Sequence, residues 1–210
     1  VPIAPIAFGP ALAELDARGL RRQRRTMRRG DPDTADIVLD GRPCVDFCSN
    51  DYLGLASHPR VVEAFVAAAR THGVGGRASH LITGHQSEHE ALEQELAAWT
   101  GRERAILFST GYMANLGLAT ALASRESSVY GDRLNHASLI DGGRLSRAAL
   151  HHYPHGDVAA LDARLASQSS GHALVLTDGV FSMDGDLAPL PALAAVCRRH
   201  GAFLAVDDAH

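Results

Sequence analysis

Lysine is absent. All 20 basic residues are arginine, so no side-chain primary amine is available as a nucleophile within these residues. Cysteine is scarce. Cys44, Cys48 and Cys197 are too few for a disulfide framework, and their arginine- and histidine-rich setting suits a reducing cytosol. Cys44 and Cys48 lack the second pair that a zinc site needs and read as packing residues. Net charge is only -4, so no strong field argues for nucleic acid or a membrane surface. No apolar run is long enough to span a bilayer. The opening stretch from Val1 to Phe8 has no basic n-region and reads as no secretion signal, and it lacks an initiator Met, so it reads as a trimmed start. Ser182 has no Gly-x-Ser-x-Gly elbow around it, which argues against a serine hydrolase.

What the chain does have is apolar content of 46% over 210 residues, enough for one large domain or most of one. Pro10–Arg29 reads as an amphipathic helix ending in a cluster of arginines, broken by Gly30-Asp-Pro-Asp33. Asp36–Leu39 and Pro43–Phe47 read as a hairpin across Asp40-Gly41. Pro59 opens a helix with Val62, Phe65, Val66 and Ala69 on one stripe. The loop from Gly73 to Gly84 is glycine-rich, but it does not lead from a strand into a helix as a dinucleotide fingerprint requires. Ser87–Trp99 is the next expected helix, with Leu92 and Leu96 inward.

From there the pattern alternates strand and helix. Strands are expected at Ala105–Phe108, Ser127–Tyr130, His151–Tyr153, Ala173–Thr177 and Ala202–Val206. Helices are expected at Gly111–Ala123, Ala137–Ala148, Val158–Ala166 and Leu190–His200. Polar clusters follow four of these strands: Ser109 to Gly111, Asp132 to His136, Thr177 to Ser182, and Asp207 to His210. Shared placement at the carboxyl ends of parallel strands implies one site.

Each cluster has a plain alternative. Asp207-Asp208 could cap a turn, Ser109-Thr110 could be a simple N-cap, His136 could pack in the core, and Ser182 could be a turn residue. Their chemistry also has a common solution. The start of the helix at Gly111 and Tyr112 suits a phosphate. A carboxylate at Asp207 suits a cationic ring nitrogen, and His136 suits a flat ring. A planar ring with a phosphate, a cationic nitrogen and an oxygen between them describes pyridoxal phosphate.

Six spaced motifs together resemble the α-oxoamine synthases, a family within fold type I of the pyridoxal-phosphate enzymes. They are Phe47-Cys-Ser-Asn-Asp-Tyr-Leu-Gly-Leu55, Ala78-Ser-His-Leu-Ile-Thr-Gly84, Phe108-Ser-Thr-Gly-Tyr-Met-Ala-Asn115, Asn135-His-Ala-Ser-Leu-Ile-Asp-Gly142, Thr177-Asp-Gly-Val-Phe-Ser-Met-Asp-Gly-Asp-Leu-Ala-Pro-Leu190 and Val206-Asp-Asp-Ala-His210. The likeness runs from about Leu15 to His210.

The resemblance implies an α/β fold: a mostly parallel sheet flanked by helices, incomplete at the C-terminus. Residues 1–46 would be an N-terminal helix and hairpin segment, and 47–210 the front part of the cofactor-binding large domain. It implies that Asp207 pairs with the pyridinium nitrogen, that His210 and Ser182 serve the phenolic oxygen, and that His136 stacks on the ring. The amides of Gly111 and Tyr112 would hold the phosphate, and Arg25 and Asn50 would meet the amino-acid substrate. The implied reaction joins L-alanine to a pimeloyl thioester with loss of carbon dioxide, in a cytoplasmic homodimer. Ala78 to His85 and Tyr153 to Asp157 look more like the alanine-using branch than like a glycine-using sister or serine palmitoyltransferase.

Two departures stand out. Gly75-Gly-Arg-Ala-Ser79 replaces a more glycine-rich run. The family's Schiff-base lysine lies beyond the Asp-Asp-Ala-His motif, after one more strand, and none stands in this chain. The bare chain is therefore expected to be inactive, to leave Ala105–Phe108 without its sheet neighbours, and to be the front of a longer enzyme. A non-catalytic fragment is the other outcome.

Overall fold

The computed structural model describes residues 8–31, 34–168 and 171–210. Residues 1–7, where no secretion signal was expected, and Pro32 and Asp33 of the expected helix break lie outside the described residues. The chain divides into two compact units, Val1–Val74 and Gly75–His210.

In the first unit the long N-terminal helix is shorter than its pattern suggests. Helix α1 covers only Phe8–Ala17. Gly19 adopts φ +63° and ends it, with the Leu20 N–H closing on the Leu15 carbonyl at 2.8 Å. The last arginines of the cluster instead form strand β1 (Met27–Arg29), paired antiparallel with β2 (Asp36–Leu39). Strand β3 (Arg42–Val45) completes the sheet in the order β1-β2-β3. The hairpin between β2 and β3 turns at Asp40 and Gly41, both at positive φ (49° and 81°), which matches the strand twist. Cys44 and Cys48 are exposed rather than packed, since β3 buries none of its residues. Helix α2 spans Pro59–His72, opened by proline at its first position.

The second unit carries the α/β layers. His80–Gly84 forms one π-helical turn before helix α3 (Ser87–Thr100). Leu92 is exposed there, and Ala97 is the buried residue. Ala105–Phe108 forms no strand. Its Leu107 N–H donates to the Glu93 carboxylate at 2.8 Å instead of to a ladder, because an apolar run becomes a strand only where another strand offers its backbone.

The remaining elements are helix α4 (Gly111–Leu122), β4 (Ser128–Asp132), α5 (Ala137–Leu145), β5 (Ala149–Tyr153), α6 (Val158–Ala166), β6 (Ala173–Asp178), α7 (Leu190–His200) and β7 (Phe203–Asp207). The four strands run parallel in the order β5-β4-β6-β7. All six residues of β6 are buried, as a strand covered on both faces requires.

Alternation along β6 builds two cores. Leu174 and Leu176 join Ala119, Ala123, Val129 and Leu139 under α4 and α5. Val175 joins Tyr130, Tyr153, Leu161, Leu193 and Val196 under α6 and α7. The sheet is thus the middle of three layers. Asp162 on α6 accepts from Arg199 at 2.7 Å and faces His200 at 2.6 Å, tying α6 to α7 at the surface. No helix among the described residues is long and apolar enough to cross a membrane.

Leu161 has no exposed surface. Leu161→Ala is expected to destabilise this unit by about 3 kcal/mol, the usual cost of an unfilled core cavity, read as a lower urea midpoint with an unchanged slope.

Candidate active site

Parallel register sets three carboxylates along one edge of the sheet. Asp178 ends β6 directly beside Asp207, the last residue of β7. Asp132 ends β4, one residue past the Gly131–Leu176 pair. Each carboxylate has its own N–H donors.

Asp132 is buried and accepts from the amides of Leu134 (2.8 Å) and Gly156 (2.9 Å). His155 faces it through Nδ1 at 3.0 Å and reaches Asp186 through Nε2 at 2.7 Å. The ring also stands edge-on to Phe181, with centroids 4.4 Å apart. His155 therefore bridges β4 to the loop between β6 and α7, the loop that carries Ser182. The hydrogen bond to Asp132 raises the His155 pKa, burial opposes, and Asp186 adds to the rise.

Asp178 is buried and accepts the backbone N–H of His136 at 2.7 Å. Burial pushes its carboxyl up, the His136 amide opposes, and neighbouring Asp207 adds to the rise. Gly179 follows it, and its N–H donates to the Asp207 carbonyl at 2.7 Å. A Cβ at position 179 would lie 2.8 Å from Asp208 Oδ1, so a side chain there would make the Asp208 carboxylate turn away.

Asp207 is held from the other layer. Asn115, one turn into α4, donates to its Oδ2 at 2.6 Å and to Ser138 Oγ at 2.9 Å. Its Oδ1 accepts from the Ala209 amide at 3.1 Å. Ser138 Oγ in turn lies 2.6 Å from His136 Nδ1. Helix α5 can approach α4 this closely because residue 142 is glycine: a Cβ there would sit 2.9 Å from the Asn115 carbonyl oxygen. Thr110 caps α4 by accepting from Met113 at 3.1 Å, and the first amides of the helix, those of Gly111 and Tyr112, have no intrahelical partner. The Tyr112 hydroxyl donates to Asp141 on α5 at 2.7 Å, which raises its pKa.

The structure thus ties Asp207 to His136 through Asn115 and Ser138, and Asn115 stands one turn into the helix that Gly111 and Tyr112 open. Ser182 sits exposed on the β6–α7 loop, with no hydrogen bond to this group among the described residues. His210 is exposed, three residues past β7. Arg25 and Asn50 belong to the first unit. There Arg25 donates through Nε to Asp40 at 2.6 Å, and Asn50 is exposed. Asn115, Ser138 and His155 had no assigned role in the sequence reading. Asn115 carried a readable signal, being four residues after Gly111 and so on the same helix face.

A parallel sheet between two helical layers, with its polar clusters at the carboxyl ends of the strands, is the large-domain architecture of fold type I pyridoxal-phosphate enzymes. A serine palmitoyltransferase from Sphingomonas wittichii superposes on 96% of this chain with a TM-score of 0.88 at 35% identity, over 51% of its own length. A serine palmitoyltransferase solved with PLP superposes on 96% of the chain at 0.87 and 34% identity, over 52% of its length. The aminotransferase class I and II profile matches residues 42–210, and the chain belongs to that family. An 8-amino-7-oxononanoate synthase from Methylococcus capsulatus is 58% identical over 98% of this chain and 53% of its own. The chain spans about half the length of the curated relatives it matches.

A histidine whose pKa is raised on folding stabilises the fold fully below its unfolded value of about 6.5 and loses that contribution as pH rises through the folded value. His155→Gln is therefore expected to lower the melting temperature most near pH 6, by about 1 kcal/mol of stability, and least near pH 9. An equal loss at both would show that the bridge is not ionic.

Proposed function

We propose that the full-length gene product condenses L-alanine with a pimeloyl thioester, carried on coenzyme A or a carrier protein. The products are 8-amino-7-oxononanoate and carbon dioxide, a step of biotin synthesis, with pyridoxal phosphate as cofactor in a cytoplasmic homodimer. The observation that carries the reading is the Asp207 carboxylate, held at the end of β7 by Asn115, one turn inside a helix whose first amides are open. That donor set fits the non-covalent half of a pyridoxal-phosphate site. The covalent half needs a lysine, which these residues lack. The names of the curated relatives supply the substrate class.

When bound, the cofactor supplies an electron-withdrawing ring. Asp207 would accept a hydrogen bond from the protonated ring nitrogen. The amides of Gly111 and Tyr112 would take the phosphate at the positive end of α4. His136 would stack on the ring, and Ser182 and His210 would serve its phenolic oxygen. Arg25 and Asn50 would meet the substrate carboxylate. Asp40 grips Arg25 through Nε alone, and a guanidinium has five donors in all.

The decisive assay offers alanine, glycine or serine with pimeloyl, acetyl or palmitoyl thioester to the full-length product and identifies the products by mass. Alanine with pimeloyl thioester is expected to be fastest. Preference for glycine with acetyl thioester would assign a glycine-using sister activity, and serine with palmitoyl thioester would favour the reaction named for the structural neighbours. Asp207→Ala is expected to lower kcat/KM by about 10²-fold or more.

A further inference from the structure

The link between Asp207 and His136 runs through two side chains with fixed hydrogen-bond directions. As a carboxylate Asp207 only accepts, so Asn115 must turn its NH2 toward it. The second hydrogen of that NH2 points at Ser138 Oγ. Ser138 Oγ is thereby an acceptor from Asn115, and its own proton is left for His136 Nδ1, 2.6 Å away. The backbone N–H of Ser138 also points at Nδ1, at 3.3 Å, and a backbone N–H can only donate. Nδ1 therefore presents its lone pair, and the neutral ring carries its hydrogen on Nε2. Ser138 has no exposed surface and Asn115 is partly buried, so water does not readily substitute for either link.

We propose that Asn115 and Ser138 are positioning residues that tie the Asp207 carboxylate to His136 and fix its ring in the Nε2–H tautomer. The carboxylate that meets the ligand's cationic edge and the imidazole beside it are then set by one chain of donors. The edge that His136 offers to a bound molecule is a hydrogen-bond donor. Gly142 is part of the device, because any side chain there would drive α5 off the Asn115 carbonyl and stretch the Asn115–Ser138 bond.

The importance of this relay for the cofactor rests on the proposed function, but its tautomer claim does not. The test uses the full-length gene product, labelled with 15N in its histidine rings, with His136 assigned by the resonance lost in His136→Gln. In the cofactor-free protein His136 is expected to show a protonated Nε2 and a bare Nδ1. Asn115→Leu keeps the volume and removes both donors, and Ser138→Ala removes the hydroxyl alone. Each is expected to raise the share of the Nδ1–H form above that of the wild type, against the Ser138 backbone N–H that remains beside Nδ1, and to weaken pyridoxal phosphate binding about tenfold, with the double variant no worse than about the worse single one. Circular dichroism melts exclude unfolding as the cause, and if Asn115→Leu does not fold, Ser138→Ala alone decides. An Nδ1–H ring in the wild type, or an unchanged tautomer in folded variants, overturns the relay. A shifted tautomer together with a different substrate preference upholds the relay and removes the proposed reaction instead.

Discussion

Asp178 and Asp207 stand side by side because β6 and β7 pair in parallel register, and everything else at this end of the sheet answers to that placement. Neighbouring strands lie about 4.8 Å apart. At that separation two ionised carboxylates repel by on the order of 3 kcal/mol at an effective dielectric near 20. A hydrogen bond to a charged group returns about 1.5 to 3 kcal/mol. One good donor per carboxylate is thus the least the site needs, and it has them: the His136 amide for Asp178, Asn115 and the Ala209 amide for Asp207, and two amides and His155 for Asp132.

Those donors come from different layers, which is why the packing of the helices matters to the acids. Asn115 can bond Ser138 while it holds Asp207 because α4 lies close against α5, with no side chain at Gly142 between them. The His136 amide reaches Asp178 because His136 is the cap residue where β4 hands over to α5. The two cores under the sheet fix both positions. Leu174 and Leu176 seat α4 and α5, while Val175 on the other face seats α6 and α7. A period of two along one buried strand therefore decides where the donors of the site stand.

Most of this second unit was legible because its strands and helices switch period cleanly from Ser128 onward and each is closed by a recognisable signal, such as Gly201 after α7. The acids at strand ends followed from the rule for open α/β sheets. Two things were not legible, each for a physical reason. Pro10–Arg29 has helical spacing, but Gly19 takes a left-handed φ and Met27–Arg29 finds a pairing edge on β2, a tertiary choice. Ala105–Phe108 has strand composition but forms no strand, in line with the expectation that it would lack its sheet neighbours. Asn115 and His155 look like ordinary polar residues until the fold brings Asp207, 92 positions along the chain, and Asp186, 31 positions along, to meet them.

The acidic edge also bears on binding. Burial pushes the Asp178 carboxyl up, the His136 amide opposes, and the proximity of Asp207 adds to the rise, so a negative charge there is already disfavoured. A ligand that places a cationic nitrogen against Asp207 relieves the repulsion between the two acids and gains attraction from both. By linkage, the same relief stabilises the folded edge in proportion to the ligand bound. On the proposed function, a neutral ring of the same shape would gain none of this relief. Preference for a protonated heterocycle over its neutral analogue would then follow from the strand register, ahead of any contact with His136 or Ser182.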